Sequence, residues 1–291
     1  MNPMLEIQNL SKKYKSSDFK LNNISLIIPG GTIMGFIGEN GAGKTTTIGC
    51  IVGTLVKDSG TVKIFGEETS DATTYIRDKI GIVYDSSFVP DHFGFTPAQI
   101  STAMQHIYTG WDKALFNQYL QRFNLPANKR TRTFSRGMSM KLSMAMALAR
   151  RPRLLILDEA TAGLDPIIRE EILNVLMEFV QDENHSILIS SHITSDLERI
   201  ADYITFIHEG NILFSKEKHD LVDNYGIMRC KSANFAAIDR EDILAYRKRD
   251  YQVDVLVADK KTAAKKYSDT IIDDITIDEI MLMLVKGETS C

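Results

Sequence analysis

The chain has 291 residues, 44% hydrophobic and 25% charged. That is enough for a substantial core, in a composition neither disordered nor fibrous. A formal net charge of −4 disfavours nucleic acid as the main partner, and Cys50, Cys230 and Cys291, odd in number and without a CxxC pair, argue against a disulfide framework or a zinc site.

In chain order, strand-like alternation appears over residues 5–7 and 24–28, and the turn Pro29-Gly30-Gly31 leads to a buried strand predicted over 32–37. A glycine-rich loop from Gly38 feeds a helix predicted from 44 to about 52, closed by Gly53. Short strands are expected at 61–64 and 80–84, then helical spacing from about 96 to 123. Helices at 138–150, 166–179 and 194–200 alternate with strands at 154–157, 187–190 and 204–207, the mark of an α/β layer fold. From about Leu221 the pattern restarts with a strand at 226–230, a helix at 239–249, a strand at 253–257 and a closing helix at 277–284. Two domains are therefore expected: residues 1–218, with a helical subdomain at about 95–150, and an α/β accessory domain at 219–291. The second carries 11 basic and 14 acidic residues, most of the net negative charge.

The longest uncharged stretch that raises a membrane question, between Lys20 and Glu39, is broken by Asn22, Asn23, Ser25 and the Pro-Gly-Gly turn. No spanning helix and no secretory signal are expected, and a cytoplasmic location follows as the expectation.

Gly38-Glu39-Asn40-Gly41-Ala42-Gly43-Lys44-Thr45 matches GxxxxGK[ST] in full and lies between a predicted strand and a predicted helix. Its backbone N–H groups suit a phosphate, Lys44 suits the β and γ phosphates, and the Thr45 hydroxyl, next to Thr46, suits Mg²⁺. A phosphate-bearing ligand with Mg²⁺ is the expectation from the motif. The apolar run 154–157 ends in Asp158 and Glu159. On a buried strand both carboxylates emerge at the C-terminal edge beside that loop, Asp158 for Mg²⁺ and Glu159 as base or water-positioner facing the γ-phosphate. Lys12, Lys13 and Lys15 read as a solvated face, and Met138, Met140, Met144 and Met146 as helix packing. Trp111 and Phe93 to Phe95 are either core of the helical insertion or a docking surface.

With these residues in place the chain resembles the nucleotide-binding subunits of ABC transporters over roughly residues 4–215. Phe134-Ser135-Arg136-Gly137-Met138 resembles the LSGGQ signature, matching it at Ser135 and Gly137. Ala162-Gly163-Leu164-Asp165-Pro166 resembles the D-loop, with Asp165 doubling as a helix N-cap, and Ser190-Ser191-His192 resembles the switch-histidine segment. Tyr14 stands where the family stacks an aromatic on adenine, or is simply an exposed strand-end aromatic. Departures are Asp85 at the Q-loop glutamine position, Arg136 and Met138 in the signature, and Ala160 where many members have proline. These departures, Trp111-Asp112 and the C-terminal extension resemble the ABC-2 exporter branch near the YtrB-like ATPases.

The resemblance implies a P-loop NTPase of ABC type: a mixed sheet core, an antiparallel β subdomain and a helical subdomain. It also implies ATP with Mg²⁺ as the cofactor and a homodimer or heterodimer closing around two ATP. Glu159 and His192 are then catalytic, and Tyr14 and the loop from Gly38 to Thr46 bind nucleotide. Ser135, Arg136, Gly137 and Met138 face the partner's ATP, Asp165 lies in the D-loop, and Thr45, Asp158 and Asp85 are the Mg²⁺ ligands. A separate membrane permease, docked near residues 85–95 and the helical insertion, is the implied partner, with the subunit on the inner face of the cell membrane. A peptide is the implied cargo, as for the phenol-soluble-modulin exporter of staphylococci. The competing expectation is a soluble ABC-type ATPase acting on nucleic acid or ribosomes. A small-molecule kinase is a third, but it leaves Ser135, Gly137 and His192 without a role.

Overall fold

In the computed structural model, which describes residues 3–14, 19–69, 76, 78–85 and 94–288, the chain divides into two units. One comprises Met1–Ala201 with Ile207–Leu213, the other Asp202–Phe206 with Phe214–Cys291. The expected boundary after residue 218 falls at the first residue of a short helix, Lys218–Asn224. Lys15, Phe93, Cys291 and most of the expected docking segment 85–95 lie outside the described residues.

The first unit opens with β1 (Leu5–Lys13) and β2 (Lys20–Ile28), paired antiparallel. Leu21, Ile24, Leu26 and Ile28 are buried from β2 while its intervening residues are exposed, the alternation of a half-buried sheet. β4 (Ser59–Ile64) pairs with β1, and β5 (Glu67–Glu68) with β4, completing this sheet in the order β2-β1-β4-β5. The turn after β2 delivers the chain to a different sheet. There β3 (Ile33–Ile37), β8 (Ser186–Ser191), β7 (Leu154–Asp158) and β6 (Ile80–Tyr84) run parallel as neighbours in that order. Every residue of β3, β7 and β8 is buried, as expected of parallel strands covered on both faces.

Parallel strands bring their C-terminal edges to one side. The residues just after β3, β6, β7 and β8 are Gly38, Asp85, Glu159 and His192, so four sequence motifs far apart in the chain meet along one edge. Helices at Pro97–Ile107 and Lys113–Arg122 form the predicted insertion, broken where Thr109 and Gly110 lie between them. Thr96 opens the first through a reciprocal capping box with Gln99, with Pro97 at its first position. Trp111, half-buried, donates its indole N–H to Ser101 Oγ at 3.1 Å and packs on Phe116.

In the second unit, β11 (Gly226–Lys231), β12 (Ala245–Lys248), β13 (Gln252–Val257) and β14 (Ile271–Asp273) form an antiparallel sheet ordered β12-β13-β11-β14. Val253, Val255 and Val257 of β13 join Met228, Ile238 and Ile243 in its core. The helix predicted over 239–249 is absent: Arg240–Asp242 is a single 3₁₀ turn and Ala245–Lys248 pairs with β13. Strand pairing that buries Ala245 against Leu256 overrides the helical preference of the charged residues around it. Short helices at Lys218–Asn224 and Lys260–Lys266 and the strand β14 were not legible in the sequence. The closing helix, Ile277–Lys286, starts as predicted with a Thr276–Glu279 capping box. β9 (Tyr203–His208) and β10 (Asn211–Glu217) are shared out between the units. Among the described residues no helix is long and apolar enough to cross a membrane.

Candidate nucleotide-binding site

The loop after β3 ends on Gly43, which has φ 116° and directly precedes the helix Lys44–Val52, while Gly41 has φ 84°. Both values belong to the left-handed region that favours glycine. At Gly41 an added Cβ would meet nothing within 4 Å, so the backbone there faces open space, as a cradle for a phosphate requires. At Gly43 it would come within 3.0 Å of the Phe19 ring. Glu39, Asn40, Gly41 and Thr45 are exposed, whereas Ala42, Gly43 and Lys44 are buried and Thr46 is intermediate.

Lys44 turns back over its own loop. Its ammonium donates to the Gly38 carbonyl at 2.8 Å and the Glu39 carbonyl at 3.3 Å, and lies 3.2 Å from Glu159 Oε1. That last approach is an ion pair without hydrogen-bond alignment, since Glu159 Oε1 is buried with no hydrogen-bond partner. A buried acceptor left in this way is a place for an incoming donor such as water.

Glu159 itself has φ 53°, a left-handed backbone at a non-glycine residue. Its N–H is held by the Ser190 carbonyl at 3.2 Å and the Ser190 hydroxyl at 3.1 Å. The same hydroxyl donates to Asp158 Oδ1 at 2.5 Å. One buried serine thus orients two adjacent acidic residues, one through its side chain and one through its backbone. Glu159 Oε2 lies 2.6 Å from His192 Nδ1, and the His192 N–H approaches it at 3.4 Å. Asp158 is buried and His192 exposed. Burial, then the nearby Asp158 charge, pushes the Tyr84 phenol above its usual range.

Tyr14 reaches the loop helix, its hydroxyl 3.3 Å from Thr46 Oγ1, and its ring centroid stands 6.3 Å from that of Phe19. Phe19, Asn40, Gly43, Lys44, Thr45 and Glu159 line a cleft of about 350 Å³. Phe19 and Ser190 are the residues sequence reasoning missed. Ser190 is visible in the Ser190-Ser191-His192 run, and Phe19 only as an aromatic just before β2. Thr45 and Asp158 offer hard oxygen donors, the set Mg²⁺ prefers.

The remaining motif residues gather in a second group. Ser135 caps the helix Arg136–Leu148, accepting from the Met138 N–H at 3.3 Å; the helix starts two residues earlier than predicted. Gly137 is buried where a Cβ would collide with Ile168 Cδ1. Asp165 Oδ1 accepts from the N–H groups of Ile167 and Ile168, both at 3.1 Å, ahead of Pro166. Arg136 pairs with Asp85 at 2.8 Å. The carboxylate expected near Mg²⁺ is thus engaged by a guanidinium of its own chain.

Fold and site together define a phosphate-loop nucleotide hydrolase whose glycine loop, buried aspartate and glutamate–histidine pair share one sheet edge. Residues 21–162 match the sequence profile described as ABC transporter. The chain is 32% identical over 222 residues to the ABC transporter ATP-binding protein YtrB of Bacillus subtilis, covering 76% of this chain and 75% of that one. It is 38% identical over 219 residues to the lantibiotic transport ATP-binding protein SrtF of Streptococcus pyogenes, covering 74% and 91%. To the bacitracin transport ATP-binding protein BcrA of Bacillus licheniformis it is 34% identical over 216 residues, covering 73% and 69%. Among solved structures, an ATP-binding subunit of an ABC transporter superposes with a TM-score of 0.65 at 26% identity, covering 76% of this chain and 92% of that one. The chain belongs to the ATP-binding proteins of the ABC transporter family, and as such it is an ATP hydrolase.

Proposed function

We propose that two such subunits, as a homodimer or with a second ATP-binding subunit, close around two ATP and drive export through a separate membrane permease. The observation that carries this reading is the meeting of Lys44, Glu159 and His192 beside the glycine loop, with Lys44 at 3.2 Å and His192 at 2.6 Å from the Glu159 carboxylate. Tyr14 stacks on the adenine, the loop from Gly38 to Thr46 binds the phosphates, and Lys44 transfers its charge from Glu159 to them. Thr45 and Asp158 hold Mg²⁺, which supplies neutralisation of phosphate charge. Glu159 aligns the attacking water and takes its proton, and His192 keeps that carboxylate oriented. Ser135, Arg136, Gly137 and Met138 face the γ-phosphate of the partner's ATP, and Asp165 contributes from the D-loop. Loss of the γ-phosphate removes contacts shared by both chains and opens the dimer.

Relatives named for lantibiotic and bacitracin transport support export of a peptide-like cargo. Their naming as transport ATP-binding proteins supports a position on the inner face of the cell membrane. The permease docks near residues 85–95 and the helical insertion, and residues 219–291 regulate hydrolysis or steady the dimer. Glu159→Gln tests the core of the reading. Steady-state phosphate release is expected to fall by on the order of 10² or more, while ATP-dependent association, followed by sedimentation, persists or strengthens. Unchanged turnover removes Glu159 from the mechanism.

A further inference from the structure

Two departures from the family pattern are partners of each other. Asp85 stands at the end of β6 and Arg136 at the first position of the signature helix, 51 residues apart, and Arg136 Nη2 donates to Asp85 Oδ1 at 2.8 Å. The guanidinium also lies against Gly163 in the loop between β7 and the helix Pro166–Phe179. A Cβ added to Gly163 would be 2.5 Å from Arg136 Nη1 and 2.9 Å from Cζ. Gly163 has φ 66°, so both its conformation and its missing side chain admit the arginine. Through this one side chain, the segment carrying Asp85, the signature helix and the loop that begins at Glu159 are joined.

The pair is half-exposed, with side chains 45% and 46% accessible. At that exposure water screens the attraction and the pair is weak and reversible, unlike a buried one. A terminal phosphate carries more charge than a carboxylate and more acceptor oxygens, and a guanidinium binds it in a bidentate fork. We infer that Asp85 is a positioning residue that competes with the terminal phosphate of a nucleoside triphosphate for Arg136. In the nucleotide-free chain Asp85 holds the guanidinium over Gly163. When a second copy presents its bound triphosphate, Arg136 exchanges carboxylate for phosphate and releases the Glu159 loop. The exchange raises the nucleotide concentration needed for closure, setting a threshold for hydrolysis. This inference rests on the proposal that the signature faces a nucleotide held by a second copy.

The test uses the full chain carrying Glu159→Gln and reads the ATP concentration for half-maximal association by sedimentation. Adding Asp85→Asn is expected to lower that concentration about two- to fivefold, the range of a half-exposed ion pair. Asp85→Glu keeps it at the parental value, and Arg136→Gln raises it. In the Arg136→Gln background, Asp85→Asn has no further effect. An unchanged or raised value with Asp85→Asn overturns the inference, as does a gain that survives Arg136→Gln, or an Arg136→Gln chain that matches the parent. Each of these leaves the shared-nucleotide reading standing. Absence of any ATP-dependent association in the Glu159→Gln chain overturns that reading and the inference with it.

Discussion

His192 Nδ1 lies 2.6 Å from Glu159 Oε2, while Lys44 approaches the other carboxylate oxygen at 3.2 Å. The histidine touches the candidate base and the lysine ties that base to the phosphate loop. His192→Ala is therefore expected to lower phosphate release by about 10². Nucleotide affinity, measured by titration with a fluorescent ATP analogue, should stay near the parental value because the imidazole bonds to the Glu159 carboxylate and acts through it.

Ser190 is the buried joint between Asp158 and Glu159. Ser190→Ala leaves Asp158 Oδ1 without its 2.5 Å donor, and a buried acceptor deprived of its partner costs about 1–3 kcal/mol. The urea midpoint should fall accordingly. The Mg²⁺ concentration for half-maximal hydrolysis should rise, because the carboxylate loses its fixed orientation.

Gly137 is buried against the Ile168 side chain. Gly137→Ala drives a methyl group into Ile168 Cδ1, the far end of a half-exposed side chain that can turn aside, so the loss should stay below the ~1–3 kcal/mol of a rigid overpacking. Ile168→Val deletes the obstructing methyl, so the double variant should recover much of the loss in thermal unfolding. Additive losses from the two changes dismiss the collision as the cause.

Asp112 caps the helix Lys113–Arg122. The Leu115 N–H, then the Arg151 guanidinium, hold its carboxyl below the usual aspartate range. A lowered folded value means that its contribution is complete above the ordinary aspartate pKa of about 3.9 and disappears as pH falls through the folded value. Asp112→Ala should cost about 1 kcal/mol in urea unfolding at neutral pH. The gap to the parent should close as pH falls into the range where the parental carboxyl is protonated. Asp112→Asn, which still caps, should lose less.

Much of the architecture could be read without coordinates where local rules decide it. The helices at Pro166–Phe179 and Thr194–Ile200 occupy their predicted bounds, the first because an Asp-Pro start permits little else. The second unit was harder. Residues 239–249 carry charges that suit a helix, yet Tyr246 and Arg247 are claimed by β13, and no local pattern announces a partner strand.

The order of residues alone determined the phosphate loop, the strand ending in Asp158 and Glu159, and the family to which the chain belongs. Glycine conformations and apolar runs act over a few neighbours, so these features are written where they occur. Only the tertiary structure decided that Ser190 orients both acids from 31 and 32 residues away, and that Arg136 answers Asp85 across 51. Those pairings depend on which strand edges and helix ends are brought together. Burial and sheet order settle that choice, and a linear pattern does not encode it.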